Sequence, residues 1–136
     1  MEDFGYRKLI VWQKSVEFVG LVYEEIKKFP LDERFALIDQ LRRSVVSIPS
    51  NIAEGNGRMT NKDYAHFLAI DRGSLYETMT QLEIAKNLGY LSSIEKIESV
   101  AVEIGRMLGA MLKKYGSIQE KIPHLCSPSP KSYPLK

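Results

Sequence analysis

The sequence predicts an all-α protein, an antiparallel up-down-up-down four-helix bundle followed by a flexible C-terminal tail. Three observations carry this expectation. Apolar residues recur at three- and four-residue steps through four successive stretches, the spacing of one face of an α-helix. The stretches are punctuated by Pro30, by Gly55 and Gly57, and by Gly89, residues that stop helices or permit the turns between them. The links between them are short, and short links set neighbouring helices antiparallel. The bundle is expected over residues 1–116 and the tail over residues 117–136.

The first helix is expected from Val11 to Lys28, with Trp12, Val16, Val19, Tyr23 and Ile26 as its apolar stripe and Trp12 as a core anchor. Pro30 ends it. Asp32 and Glu33 bring negative charge to the start of the second helix, which is expected from Asp32 to Glu54. Pro49 lies inside that helix. Its ring crowds the carbonyl of Val45 and removes one donor, so the helix is expected to kink there or to break and restart.

Thr60 followed by Asp63 has the form of an N-cap, and the third helix runs from it to about Asn87, where Gly89 supplies a C-cap. Tyr64, Leu68, Leu75 and Leu82 recur as a bundle seam that also contains Asp71 and Thr78. A carboxylate on a seam must be paired or face an opening, and Arg42 or Arg43 is the candidate partner. The fourth helix opens at Ser92 or Ser93 and runs to Tyr115, burying Ile94, Ile97, Ala101, Ile104, Leu108, Met111 and Tyr115. Gly105 and Gly109, one turn apart, suggest a close helix approach within the bundle or between subunits, or else are tolerated without a packing role.

A chain of 136 residues suffices for one core and is short for two. Its hydrophobic fraction of 44% and charged fraction of 26% fit a folded soluble domain, and no apolar run reaches membrane length. The N-terminus lacks the pattern of a secretory signal, so a cytoplasmic location and no membrane partner are expected. The formal charge of +2 is confined to the tail: residues 1–116 carry sixteen basic against sixteen acidic side chains. That balance argues against a generally basic nucleic-acid binder while leaving room for a local patch.

Catalytic and metal chemistry find little support. Asp63 and His66 share a helix face but lack the second Glu-x-x-His partner of a di-iron bundle, and His124 falls in the tail. Cys126, the single cysteine, also falls there and excludes an internal disulfide. The Gly55–Gly57 turn lacks the lysine and glycine pattern of a phosphate-cradling loop. No metal, cofactor or enzymatic activity is expected.

What remains is a polar cluster where the end of the second helix lies beside the start of the third. Arg42, Arg43, Asn51, Glu54, Arg58 and Arg72 are candidates for binding nucleic acid or a partner; Ser47, Asp71, Ser74 and Glu77 are candidates for a structural polar network. One reading is a network that fixes the kink or a subunit interface. The other is a site for phosphates, which the planar guanidinium fork suits, or for an acidic partner helix.

The same residues carry a resemblance. QLRRS before IPSNIAEGNGR at 48–58, FP at 29–30, GSLYE at 73–77 and QLEIAKNLGY at 81–90 resemble the family of 23S rRNA intervening-sequence proteins, over roughly 4–115. Leu9, Val11, Trp12 and Gln13 look like that family's opening. The resemblance implies an up-down-up-down bundle that assembles as a homo-oligomer, a ring of five. It further implies similarity to accessory proteins that bind RNA or DNA and a nucleic-acid-processing protein, a reverse transcriptase. The expected function is then a non-enzymatic oligomeric bundle binding structured RNA through an arginine rim. The alternative is a protein-interaction scaffold that binds no nucleic acid.

Overall fold

The computed structural model describes residues 4–116; the expected tail, with His124 and Cys126, lies outside them. Four α-helices follow in order: α1 Ile10–Ile26, α2 Leu37–Asn56, α3 Asn61–Asn87 and α4 Glu95–Tyr115. Each packs on the next, and α4 packs back on α1. The antiparallel sense is visible in single contacts. Ser44, early in α2, bonds Gln81, late in α3. The Tyr64 ring, early in α3, lies 4.6 Å from that of Tyr115 at the end of α4.

The core fills this ring of helices with Phe18, Leu41, Ile48, Ile52, Leu68, Leu82, Ile104 and Leu108, all essentially without exposure. Helix α3 buries the whole expected seam, Asp71 and Thr78 included. Its start is capped as its sequence suggests, with the Asp63 amide donating to Thr60 Oγ1 at 3.1 Å. At its end Gly89 takes φ +84°, and the Tyr90 amide reaches back to the Ala85 carbonyl at 2.9 Å, closing a Schellman-type cap.

Three expectations need correction. In α1 the buried stripe is Val11, Ser15, Phe18, Val22 and Ile26, one column round from the expected one; Val16 and Tyr23 are exposed, while Trp12 and Val19 are only half-buried. Both columns are apolar, and Ser15 disguises the inner one. Its hydroxyl donates to the Val11 carbonyl at 2.7 Å and so enters the core already satisfied. Trp12 instead packs against the core edge and Tyr6, ring to ring at 5.0 Å.

Helix α2 starts at Leu37, not Asp32. Residues 31–33 form a 3-10 turn, and Ala36 at φ −124°, ψ −100° separates it from the helix. Glu33 serves two ends there: it accepts from the Leu37 amide at 3.4 Å and from the Tyr90 hydroxyl at 2.6 Å. That contact joins the α1–α2 and α3–α4 connections. Past Pro49 the helix continues unbroken to Asn56, which removes the break-and-restart alternative. Helix α4 likewise begins later than expected, at Glu95, whose amide bonds Ser93 Oγ at 3.2 Å.

The third correction concerns glycine, and the bundle interior alone. A Cβ at Gly105 would sit at an ordinary 3.6 Å from Leu75 Cδ2, and one at Gly109 would meet nothing within 4 Å. The close approach inside the bundle is at Gly55 instead. A Cβ there would fall 2.8 Å from Phe67 Cβ and 3.0 Å from Tyr64 Cδ1. Gly55 is therefore a packing residue that lets α2 and α3 touch, and the helix exit comes after it, at Gly57.

Candidate functional site

The α2–α3 seam and its flanks carry the candidate polar residues at two levels of α2. At the level of Gln40 and Ser44 the inward-facing ones form a relay. Thr78 Oγ1 donates to Ser44 Oγ at 2.8 Å, with the Ser74 carbonyl equally near. The Ser44 hydroxyl donates to Gln81 Oε1 at 3.0 Å, and Gln81 Nε2 donates to Glu77 Oε2 at 3.3 Å and Gln40 Oε1 at 3.4 Å. A buried hydroxyl is thereby connected to an exposed carboxylate without an orphan between them. Ser74 and Glu77 take part as expected, while Ser47 stays local, donating to the Ser44 carbonyl at 2.7 Å. Ser44 and Gln81 were missed. The available signal was position: Gln81 follows Thr78 by one turn on the buried stripe.

Toward the end of α2, Arg58 reaches back to Glu54 at 3.4 Å and lies 4.7 Å over the Phe67 ring. Asn56 Nδ2 donates to the Tyr64 hydroxyl at 3.3 Å. Burial is the main cause that raises the Tyr64 pKa. Asn51 is half-buried on this side of α2.

At the start of α2 the arginines turn to solvent, because Leu41, Ser44 and Val45 take the inward positions. Arg43 Nε pairs with Asp39 Oδ2 at 3.2 Å, one turn back. The Arg42 guanidinium lies 5.8 Å over the Tyr23 ring of α1, and that of Arg72 lies 5.6 Å over Tyr76. Neither Arg42 nor Arg43 reaches Asp71, so the expected pairing does not form. Asp71 is completely buried, and neither carboxyl oxygen has a hydrogen-bond partner among the described residues. Desolvation pushes its pKa up to about 8.

The expected single cluster is thus divided. Arg42 and Arg43 stand roughly 20 Å along the helix axis from Arg58, at a rise of about 1.5 Å per residue. The buried relay, which rests on Gln40 and Ser44 of α2, stands level with Arg42 and Arg43. All four arginines are exposed. Exposed one-turn ion pairs such as Arg43–Asp39 and Arg58–Glu54 contribute about 0.3–0.5 kcal/mol each and leave the guanidinium available to a phosphate.

On the other side of α3, a groove of about 670 Å³ opens between α3 and α4, lined chiefly by Leu75, Met79, Ile84, Ala101, Val102 and Gly105. Ile84 and Val102 are exposed along it. Among the described residues no group of three His, Cys, Asp or Glu side chains is placed to hold a metal ion, and no helix is long and apolar enough to cross a membrane.

Comparison with curated proteins finds no match. Among solved structures, the chain is similar to a protein of unknown function from the S23 ribosomal protein family of Bacteroides thetaiotaomicron. The two share 27% identity and a TM-score of 0.70 over 76% of this chain and 99% of the other. The family model described as 23S rRNA-intervening sequence protein matches residues 7–110, which span all of α1, α2 and α3 and most of α4. On that match and on the four-helix fold, this chain belongs to the 23S rRNA-intervening sequence protein family.

Proposed function

We propose that this chain is a non-enzymatic, self-associating bundle of the cytoplasm that binds nucleic acid, structured RNA, through Arg42, Arg43, Arg58 and Arg72. The observation that carries this reading is the state of Arg42 and Arg72. Both guanidiniums are exposed, and each lies over a tyrosine ring with no carboxylate partner among the described residues. An arginine held on an aromatic face keeps its hydrogen-bonding fork free for phosphate. A protomer whose body carries equal numbers of acids and bases binds phosphates weakly alone. Symmetric assembly, as a ring of five, multiplies the patch and supplies the local field that the monomer lacks. The exposed apolar groove between α3 and α4 supports self-association, since patches of this kind mark contact surfaces.

A protein-interaction scaffold is the second reading. It is favoured by Arg43 and Arg58, which already have carboxylate partners within the fold. Under it the groove receives a different protein, such as a nucleic-acid-processing enzyme, and the arginines only keep the surface soluble.

RNA binding by the purified protein across a salt series separates the two, with oligomer mass measured by sedimentation in parallel. The first reading expects log affinity to fall linearly with log salt. It expects a shallower slope for the Arg42→Ala/Arg72→Ala double variant, by about 0.7–0.9 for each phosphate that is no longer neutralised. An intact oligomer that binds no RNA at low salt leaves the scaffold.

A further inference from the structure

Asp71 is the buried group that this surface chemistry leaves unused. It sits on the inward stripe of α3 between Leu68 and Leu75, both buried. Its side chain has no exposure, and neither Oδ1 nor Oδ2 has a hydrogen-bond partner among the described residues. The buried positions of the packed helices offer no counter-charge: Val11, Ser15, Phe18, Val22 and Ile26 on α1; Ile38, Leu41, Ser44, Val45, Ile48, Ile52 and Gly55 on α2; Ile97, Ala101, Ile104 and Leu108 on α4. On α3 itself the other buried titratable group is Tyr64, which bonds Asn56. The half-buried cation of α1, Lys14, is engaged by Glu103 at 3.2 Å and Glu17 at 3.8 Å. An enclosed carboxyl is also out of reach of RNA or of a second copy of the chain. Among these surroundings a proton is the neutralising partner left to it.

We propose that Asp71 is a proton-binding site inside the bundle: α3 packs tightly while this carboxyl is a neutral acid, and its ionisation loosens α3 against its neighbours. Burial alone raises the group from 3.8 to about 8. The folded chain therefore holds this proton more tightly than the unfolded chain does. Between those two values the folded state binds more protons, so stability falls as pH rises. The contribution is fully present below about 4 and exhausted above about 8. Within that window the unfolding constant assignable to Asp71 grows by up to about tenfold per pH unit.

The test uses the full chain in two measurements. Carboxyl carbon NMR of aspartate-labelled wild-type protein, titrated while folded, should show one aspartate protonated at neutral pH and ionising near 8, and that signal should be absent from Asp71→Asn. Urea unfolding of both proteins from pH 5 to 9 should show a pH-dependent loss of stability in wild type that the variant lacks. The proposal is overturned if every aspartate of the folded wild type is ionised at pH 6, or if Asp71→Asn retains the same dependence on pH. Should the variant fail to fold, the wild-type NMR titration still decides.

Discussion

Asp71 and Thr78 lie two turns apart on the same inward stripe of α3, and the bundle treats them in opposite ways. Thr78 meets Ser44 across the seam and passes its hydrogen bond on to Gln81 and Glu77. Asp71 meets no partner among the described residues. The difference lies in what the facing helix presents. Opposite Thr78, α2 turns Ser44 inward; its next inward residues, Val45, Ile48 and Ile52, are aliphatic. A polar residue on a seam is therefore stabilising or costly according to one facing side chain, and its own chemistry does not decide which.

The sharpest break of that comparison is Asp71→Ala. Removing a carboxyl whose pKa burial has raised from 3.8 to about 8 relieves the cost of keeping it uncharged or ionised inside the core. At pH 9 the variant should be more stable by roughly 6 kcal/mol, less the cavity term, and the gain should shrink toward pH 5. Urea unfolding at the two pH values measures it, and a destabilised variant at pH 9 would contradict the unpaired state of Asp71.

Gly55→Ala tests whether the seam depends on contact between helices as well as on hydrogen bonds. The added methyl meets Phe67 Cβ at 2.8 Å, an atom anchored to the α3 backbone, so the helices must separate. A net loss of about 1–2 kcal/mol is expected after the helix-propensity gain of about 1 kcal/mol. Gly109→Ala, with nothing within 4 Å, is the control and should not lose stability in the monomer.

Thr78→Val has the smallest expected effect and the opposite sign to Asp71→Ala. It keeps the shape of the side chain and deletes the donor to Ser44. Thermal unfolding should reveal a loss of about 1 kcal/mol that is the same at pH 5 and pH 8, because no titrating group is removed. A gain would mean that the relay costs more than it contributes.

Much of the fold was legible beforehand because it rests on local rules. The Thr60 cap, the Gly89 turn and the α3 seam each depend on residues within a few positions of one another. The candidate site was less legible. Arg43 and Arg58 were recognised, but their partners Asp39 and Glu54 each lie only four residues back in the chain, which divides the expected cluster. Ser44 and Gln81, the middle of the relay, are separated by 37 positions, and neither carries a local signal that points to the other.

By itself the sequence determined four helices, their order, most of their ends and the stripe of α3, since helical period and capping act over one or two turns. Only the tertiary structure decided which of two apolar columns α1 turns inward, that Gly55 and not Gly105 or Gly109 is the point of closest packing, and that Thr78 is satisfied while Asp71 is not. The physical reason is common to all three. Each residue turns a helix by about 100°, so a shift of one position in the face presented exchanges every partner across the seam, while the local signals that make the helix stay the same.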